Sequence, residues 1–445
     1  MNKNKIIFAI LGIILLGLLI LLVTNLTKSQ QNTNTSSAGW AFRIWILEDE
    51  VGKFQEYMTL FKDQSQSYKN KEIMVESFSD VESYKATLTA AFLSGNGPDI
   101  FLLNNSENSP LENQIMGIDP AIVSPNDFRL RFKPVFGSDL IITDENDSTI
   151  EFLKWIPAGY ETLWVFYNRK YFLRPSELNT WTDFAKEIKS IWEKYNNIIP
   201  LAIWNGATVT RVGDIMQNLF VAEGWNSLTT TTDSQTRQVL EMYKQFGDRN
   251  GDNKYNILYE PSLPNMDINF FTEGRVAAMI WYPRDLIKID AIGYQKNFLF
   301  ATPFPRLTGA EKSLALHYNY FVINKDSLQS PLALDIVKFI STTQWQQAYI
   351  DIYPYYLSPE VSVFSEMWEK KILPQYNIVY KNFGEEDALL VSYNVGNNSL
   401  FHKEVWHILD LTSGYEEKFS VFKDFTTCVI TKQTSLLNLS SPCKK

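Results

Sequence analysis

The sequence predicts an α/β protein of two lobes, each a sheet with helices on its faces, behind a single apolar N-terminal helix. Three observations carry that prediction. Strand-like and helix-like segments alternate from Phe42 to Leu103, and a second alternation of the same kind starts near Thr162. An unbroken apolar run, Ile6 to Val23, precedes both. Beyond that run and a short polar stretch, roughly 400 residues remain, enough for two or three domains.

Composition narrows the function classes. The chain has 445 residues, with 50 acidic against 41 basic side chains and a formal net charge of −9. That balance argues against a nucleic-acid partner, because phosphate contacts need concentrated Lys and Arg. Two cysteines exclude a disulfide-dense scaffold and a four-cysteine zinc site, and three histidines leave little for a histidine-rich metal site. Aromatic residues reach 14%, a content that suits sugar-stacking surfaces among other uses.

The N-terminal run spans about 27 Å as a helix, close to the hydrocarbon thickness of a bilayer. Lys3 and Lys5 precede it and only Lys28 follows closely, so the short end stays cytoplasmic and the rest lies outside. The run exceeds a signal-peptide core and lacks a small-x-small cleavage site, which favours an uncleaved anchor over residues 1–29 with its helix at 6–23. A removed signal peptide with an unusual site is the alternative. Residues 30–39, Gln-Gln-Asn-Thr-Asn-Thr-Ser-Ser-Ala-Gly, have nothing to bury and read as a flexible linker.

Phe42 to Leu47 is a β-rich run ending in Glu48-Asp49-Glu50. Val51, Phe54, Tyr57, Met58 and Phe61 then recur at helical spacing. Glu72 to Phe78 returns to strand character. Asp80 caps a helix reaching Ser94 with Tyr84, Leu88 and Phe92 on its buried face. Ser94-Gly-Asn-Gly-Pro98 stops that helix, and Asp99 to Leu103 forms a third strand. Ligands of parallel α/β sheets sit at the carboxyl ends of strands, here Glu48–Glu50, Ser79–Asp80 and Asn104–Ser106. Thr162 to Asn168 opens the second unit, Thr180 caps a helix reaching Tyr195, and Ile199 to Trp204 is another strand. Strands at Ala277–Trp281 and Tyr320–Asn324 and a helix at Pro331–Ser341 follow. After Pro354 helices dominate, at 364–373, 402–411 and 416–425.

Catalytic and phosphate motifs are absent from the local sequence. Gly95-Asn-Gly97 lies between a helix and a strand, the reverse of a phosphate loop. There is no G-x-x-x-x-G-K-[ST] and no G-x-S-x-G. His402 and His407 stand about 140° apart on a helix, unlike the near-eclipsed pair of a zinc site. Asp248, Asn250 and Asp252 mimic the opening of a calcium loop, but Asn253 replaces the expected glycine and Glu260 comes one residue late, so a solvated turn competes with a weak calcium site. Cys428 and Cys443 both lie outside the membrane and are candidates for a disulfide. No cofactor is called for.

Several segments in order resemble the extracellular solute-binding proteins of sugar-type ABC importers, the maltose-binding-protein group. They are Arg43 to Glu50, Ser94-Gly-Asn-Gly-Pro-Asp-Ile-Phe101, Tyr160 to Phe172 with Thr180-Trp-Thr-Asp-Phe184, Phe271-Thr-Glu-Gly-Arg-Val-Ala-Ala-Met279, and Tyr320 to Lys325 with the helix after it. The resemblance covers about residues 40–425. It implies a periplasmic-binding-protein-like clamp of type II, whose chain crosses between lobes near 156–160, 302–308 and 353–359. Lobe 1 is then 40–157 plus 307–355, lobe 2 is 158–306 plus 356–425, and 426–445 is a tail. The implied partners are a small solute, most simply a saccharide, and the permease subunits of an ABC importer. Carried residue by residue, the resemblance makes Asp49 a polar contact, Glu161 an acceptor for a sugar hydroxyl, Trp204-Asn205 a cleft-lining strand end, and Trp281-Tyr282 an aromatic platform. It departs at Leu103, where the family often has Trp, and at Arg284, near where another aromatic belongs.

A sugar offers flat C–H faces and hydroxyls, so aromatic plates with carboxylate or amide acceptors fit it physically. Trp45 and Trp155 read as core. An anchored surface enzyme acting on glycans and a ligand-sensing module for a signalling partner are the competing function classes. Product formation separates the first from a binding protein, and the docking partner separates the second.

Overall fold

The computed structural model of the chain describes residues 41–47, 51–105, 114–144, 146–172, 178, 180–195, 197–203, 209, 211–222, 239, 242–243, 266–291, 299–305, 313–370 and 389–392. The chain falls into two compact units, residues 1–42 and 43–445. Strand β1 begins with Phe42, the last residue of the first unit; the other described elements belong to the second. Among the described residues no helix is long and apolar enough to cross a membrane. The apolar run at 6–23 lies outside them.

The opening alternation folds as strand β1 (Phe42–Ile46), helix α1 (Val51–Gln64), β2 (Ile73–Ser77), α2 (Val81–Leu93) and β3 (Ile100–Asn104). Local chemistry sets the ends of α2. The Asp80 carboxylate accepts from the Ser83 amide, capping the first turn. Gly95 follows the helix at φ 70°, a conformation that favours glycine. Asp99 then ties the motif together: its carboxylate accepts from the Arg43 amide at 2.8 Å and from the Ser327 hydroxyl. β1 and β3 pair in parallel, Ile44 opposite Ile100.

Strand β4 (Ile115–Met116), helices α3 (Pro125–Arg131) and α4 (Pro134–Leu140), and the β5 (Ile141–Thr143) and β6 (Glu151–Leu153) hairpin lead to β7 (Ile156–Glu161). β7 then meets the long strand β11 (Ser313–Asn324), which organises the first sheet. Asn319 of β11 pairs with both Asn104 of β3 and Gly159 of β7, so those two strands lie on its opposite edges. The order β12–β11–β3–β1–β2, with β4 and β7 also on β11, makes seven strands among the described residues, β12 being Leu389–Ser392. Helices α1, α9 (Ser330–Ile340) and α10 (Thr343–Ile352) supply its aromatic core. Phe321 lies 5.8 Å from Phe54 and 5.3 Å from Trp345, ring centre to ring centre.

The second sheet has the order β10–β8–β9, all antiparallel: β8 is Trp164–Asn168, β9 Ala278–Trp281 and β10 Leu299–Pro303. Single parallel bridges join Ile199 to Val276 and Ala202 to Met279. Helix α5 (Trp181–Lys194) carries the cap read from sequence, with the Asp183 amide donating to the Thr180 hydroxyl oxygen at 3.1 Å. Helix α6 (Val212–Ala222), α7 (Met266–Thr272), a 3₁₀ turn at Pro283–Asp285 and α8 (Leu286–Ala291) complete the described part, with α11 (Val361–Lys370) following α10. The chain passes between the sheets at Thr162–Leu163, from β7 to β8, and again between β10 and β11.

Candidate functional site

The passage from β7 to β8 ends β7 on a carboxylate. Glu161 is fully buried, and β11 places His317 directly opposite it across the ladder. Oε1 of Glu161 lies 3.1 Å from His317 Nδ1 and accepts from Arg284 Nε at 3.0 Å. A carboxylate can only accept, so Nδ1 of His317 is the donor in this contact. Oε2 of Glu161 is buried with no hydrogen-bond partner among the described residues.

Arg284 comes from the turn after β9, and that turn is locally built. Pro283 starts it, and the Asp285 carboxylate accepts from the Tyr282 amide at 3.3 Å. Asp285 also takes the guanidinium of Arg211, at the foot of α6, through Nε at 3.1 Å and Nη2 at 2.8 and 2.9 Å. Asp214 adds a second carboxylate 3.6 Å from Arg211. Burial works against the charge of Arg211, but Asp285 and Asp214 outweigh it and hold its pKa above the ordinary arginine value. The Tyr282 ring receives both cations: Arg211 Cζ lies 5.0 Å and Arg284 Cζ 5.7 Å from its centre, while the His317 ring stacks at 5.1 Å. Burial pushes the Tyr282 hydroxyl well above its usual range, and the Asp214 and Glu161 carboxylates push it further.

Amides extend this polar band along β3 and β11. Asn104, at the carboxyl end of β3, donates to the Asn319 side-chain oxygen at 2.7 Å and lies 3.5 Å from His317 Nδ1. Asn319 donates in turn to the Tyr356 hydroxyl at 2.8 Å. Asn105 closes on the Leu316 carbonyl and the Tyr318 amide, both at 2.8 Å. Carboxylate, guanidinium, imidazole, amide and phenol thus meet where the two sheets are joined. Such a set can exchange several hydrogen bonds with a polyhydroxylated molecule.

Of the residues singled out from sequence, the structure brings Glu161 and Tyr282 together. Trp281 takes a different partner: its indole is buried and donates to Asp267 at 2.9 Å. The Tyr282 ring is buried too, covered by the two guanidiniums and His317. Asp49, Trp204 and Asn205 lie outside the described residues, as do Asp248, Asn250 and Asp252 and the two cysteines, Cys428 and Cys443. Sequence reasoning missed Arg211, Asp214, Asp285, His317 and Asn319. Only Asn104 carried a local signal, as a strand end on the ligand side of a parallel sheet.

Comparison with known proteins bears on this arrangement. The family of bacterial extracellular solute-binding proteins matches residues 48–347. A comparison with curated proteins gave no match. Among solved structures, the sugar-binding protein MalE of Xanthomonas citri superposes with a TM-score of 0.69 at 14% identity, over 90% of this chain and 100% of its own. The GacH receptor of Streptomyces glaucescens, solved unliganded and with acarbose, gives 0.65 at 15%, over 90% and 99%. Maltose-bound MalE3 of T. maritima gives 0.61 at 15%, over 89% and 100%. At such identities the likeness is one of fold, the α/β two-lobed architecture of periplasmic binding proteins. With the family match spanning well over half its length, the chain belongs to the bacterial extracellular solute-binding proteins of family 1.

Proposed function

We propose that this chain is a membrane-tethered extracytoplasmic receptor that captures a saccharide between its lobes and delivers it to the permease of an ABC importer. Family membership supports binding without turnover. The observation that carries the saccharide is Glu161: a fully buried carboxylate at the crossing strand, with one oxygen gripped and the other lacking a donor among the described residues. Leaving a buried acceptor unpaired costs about 1–3 kcal/mol, which a ligand hydroxyl recovers. In this reading Asp49, Trp204, Asn205, Trp281 and Tyr282 join Glu161 around the ligand once the lobes part and reclose, and the run at 6–23 holds the receptor at the membrane.

The test is thermal unfolding of the full chain in mild detergent with a panel of mono- and oligosaccharides. A saccharide at a hundred times its dissociation constant adds about 2.7 kcal/mol to the folded state. At roughly 2–4 °C per kcal/mol for a domain of 150–250 residues, the midpoint rises by about 5–10 °C. Glu161→Ala weakens that ligand by about 1.5–3 kcal/mol, the range for a hydrogen bond to a charged group. A flat panel, or a saccharide recovered cleaved, refutes the receptor reading for sugars.

A further inference from the structure

Resting on the saccharide reading, we propose that Arg284 sets the ligand class of this site: with His317 it holds one oxygen of Glu161, and so reserves the site for uncharged saccharides. The charges around Tyr282 lead to this. The described residues there place three carboxylates, Glu161, Asp214 and Asp285, beside two guanidiniums, Arg211 and Arg284. Arg211 is committed to Asp285 through a forked contact. Arg284 is set against Glu161 Oε1, its side chain 26% exposed and that of Glu161 fully buried. Among these described groups, an anionic saccharide entering here meets an excess of one negative charge and two cations already engaged by carboxylates.

A neutral saccharide meets no such penalty. Oε2 of Glu161 is buried and has no partner among the described residues, so it accepts one hydroxyl, while Oε1 stays fixed by Arg284 and His317. Arg284 is therefore a positioning residue acting through Glu161. Without it the buried carboxylate is uncompensated on the side of the turn at Pro283–Asp285, and its orientation is no longer fixed from that side.

The test titrates the full chain with uncharged trisaccharides (maltotriose, cellotriose and mannotriose) and with trigalacturonate as the anionic probe of equal length. Wild type binds an uncharged trisaccharide at least about tenfold more tightly than trigalacturonate. Glu161→Gln removes the carboxylate that Arg284 Nε contacts and shifts that ratio toward trigalacturonate by about tenfold or more, the magnitude of a charge-assisted contact. Arg284→Met weakens the uncharged ligand by a similar factor without improving trigalacturonate, and Arg284→Lys recovers part of the loss. A merely structural Arg284 lowers the unfolding midpoint and leaves the ratio unchanged. Wild type that prefers trigalacturonate, or a ratio unmoved in Glu161→Gln, overturns this inference and leaves the saccharide receptor standing. Wild type that binds none of the four probes overturns both.

Discussion

Replacing Asp285 by alanine tests whether the Arg211–Asp285 pair holds the second sheet's turn in place. Asp285 is 3% exposed at its side chain and Arg211 18%, and three nitrogen–oxygen contacts between them fall within 3.1 Å. Removing one partner of a buried ion pair costs about 3–5 kcal/mol, because the other charge is left without compensation. Two local features place this case at the lower end. Arg211 keeps some contact with water, and Asp214 remains 3.6 Å away. A loss of about 3 kcal/mol lowers the unfolding midpoint by roughly 6–12 °C, on the scale of a domain of 150–250 residues. Differential scanning calorimetry of Asp285→Ala beside wild type reads this directly. The double variant Arg211→Met with Asp285→Ala removes the uncompensated guanidinium but takes the cation from Asp214, and so recovers part of the loss. A single-variant shift below about 2 °C, or a double variant no more stable than the single, would refute the reasoning.

Three further outcomes follow from packing, capping and titration. Gly159→Ala places a Cβ 2.8 Å from Tyr356 Cβ and 3.1 Å from the Tyr349 ring, and destabilises by about 1–3 kcal/mol in a urea titration, the usual cost of overpacking. Thr180→Ala removes the acceptor for the Asp183 amide and costs about 1 kcal/mol, seen as a lower midpoint with an unchanged m-value. The Tyr68 hydroxyl donates to Asp335 at 2.7 Å, which raises its pKa from 10.0 to about 12, with burial adding to the effect. The raised folded-state value means this contribution is complete below pH 10 and is lost as pH climbs through about 12, so a Tyr68→Phe difference present at pH 8 vanishes at the alkaline end.

Elements held by neighbours in sequence were legible from the start. Asp80 and Thr180 cap the helices they announce, because a cap depends on residues three positions apart. Gly95 ends α2 for the same local reason. The strand β7 was not legible as a strand, since Pro157 and Gly159 argue against one; burial on all sides and pairing with β11 override that propensity. β11 begins at Ser313 rather than Tyr320 because its polar half, with His317 and Asn319, is fixed by contacts from other elements. The polar band follows the same logic. Arg211 and Asp285 stand 74 positions apart, and Glu161 and His317 stand 156 apart. Periodicity cannot join groups at such separations. Arg284 was visible as a departure from an aromatic pattern, while its partner became visible only through the fold.

The placement of β11 also dictates when the molecule can become itself. β3 is complete at Asn104, yet one of its edges waits for residues 319–323. Emerging from the ribosome, the first sheet therefore presents an open, apolar edge for more than the length of a typical domain before its organising strand exists. Pairing so distant in sequence folds slowly, because loop closure must precede the contacts that reward it. A chain delayed in this way remains threadable while it is being made. The late strand postpones completion of the first sheet until residues 313–324 have been made, a schedule that suits a protein whose family works on the far side of a membrane.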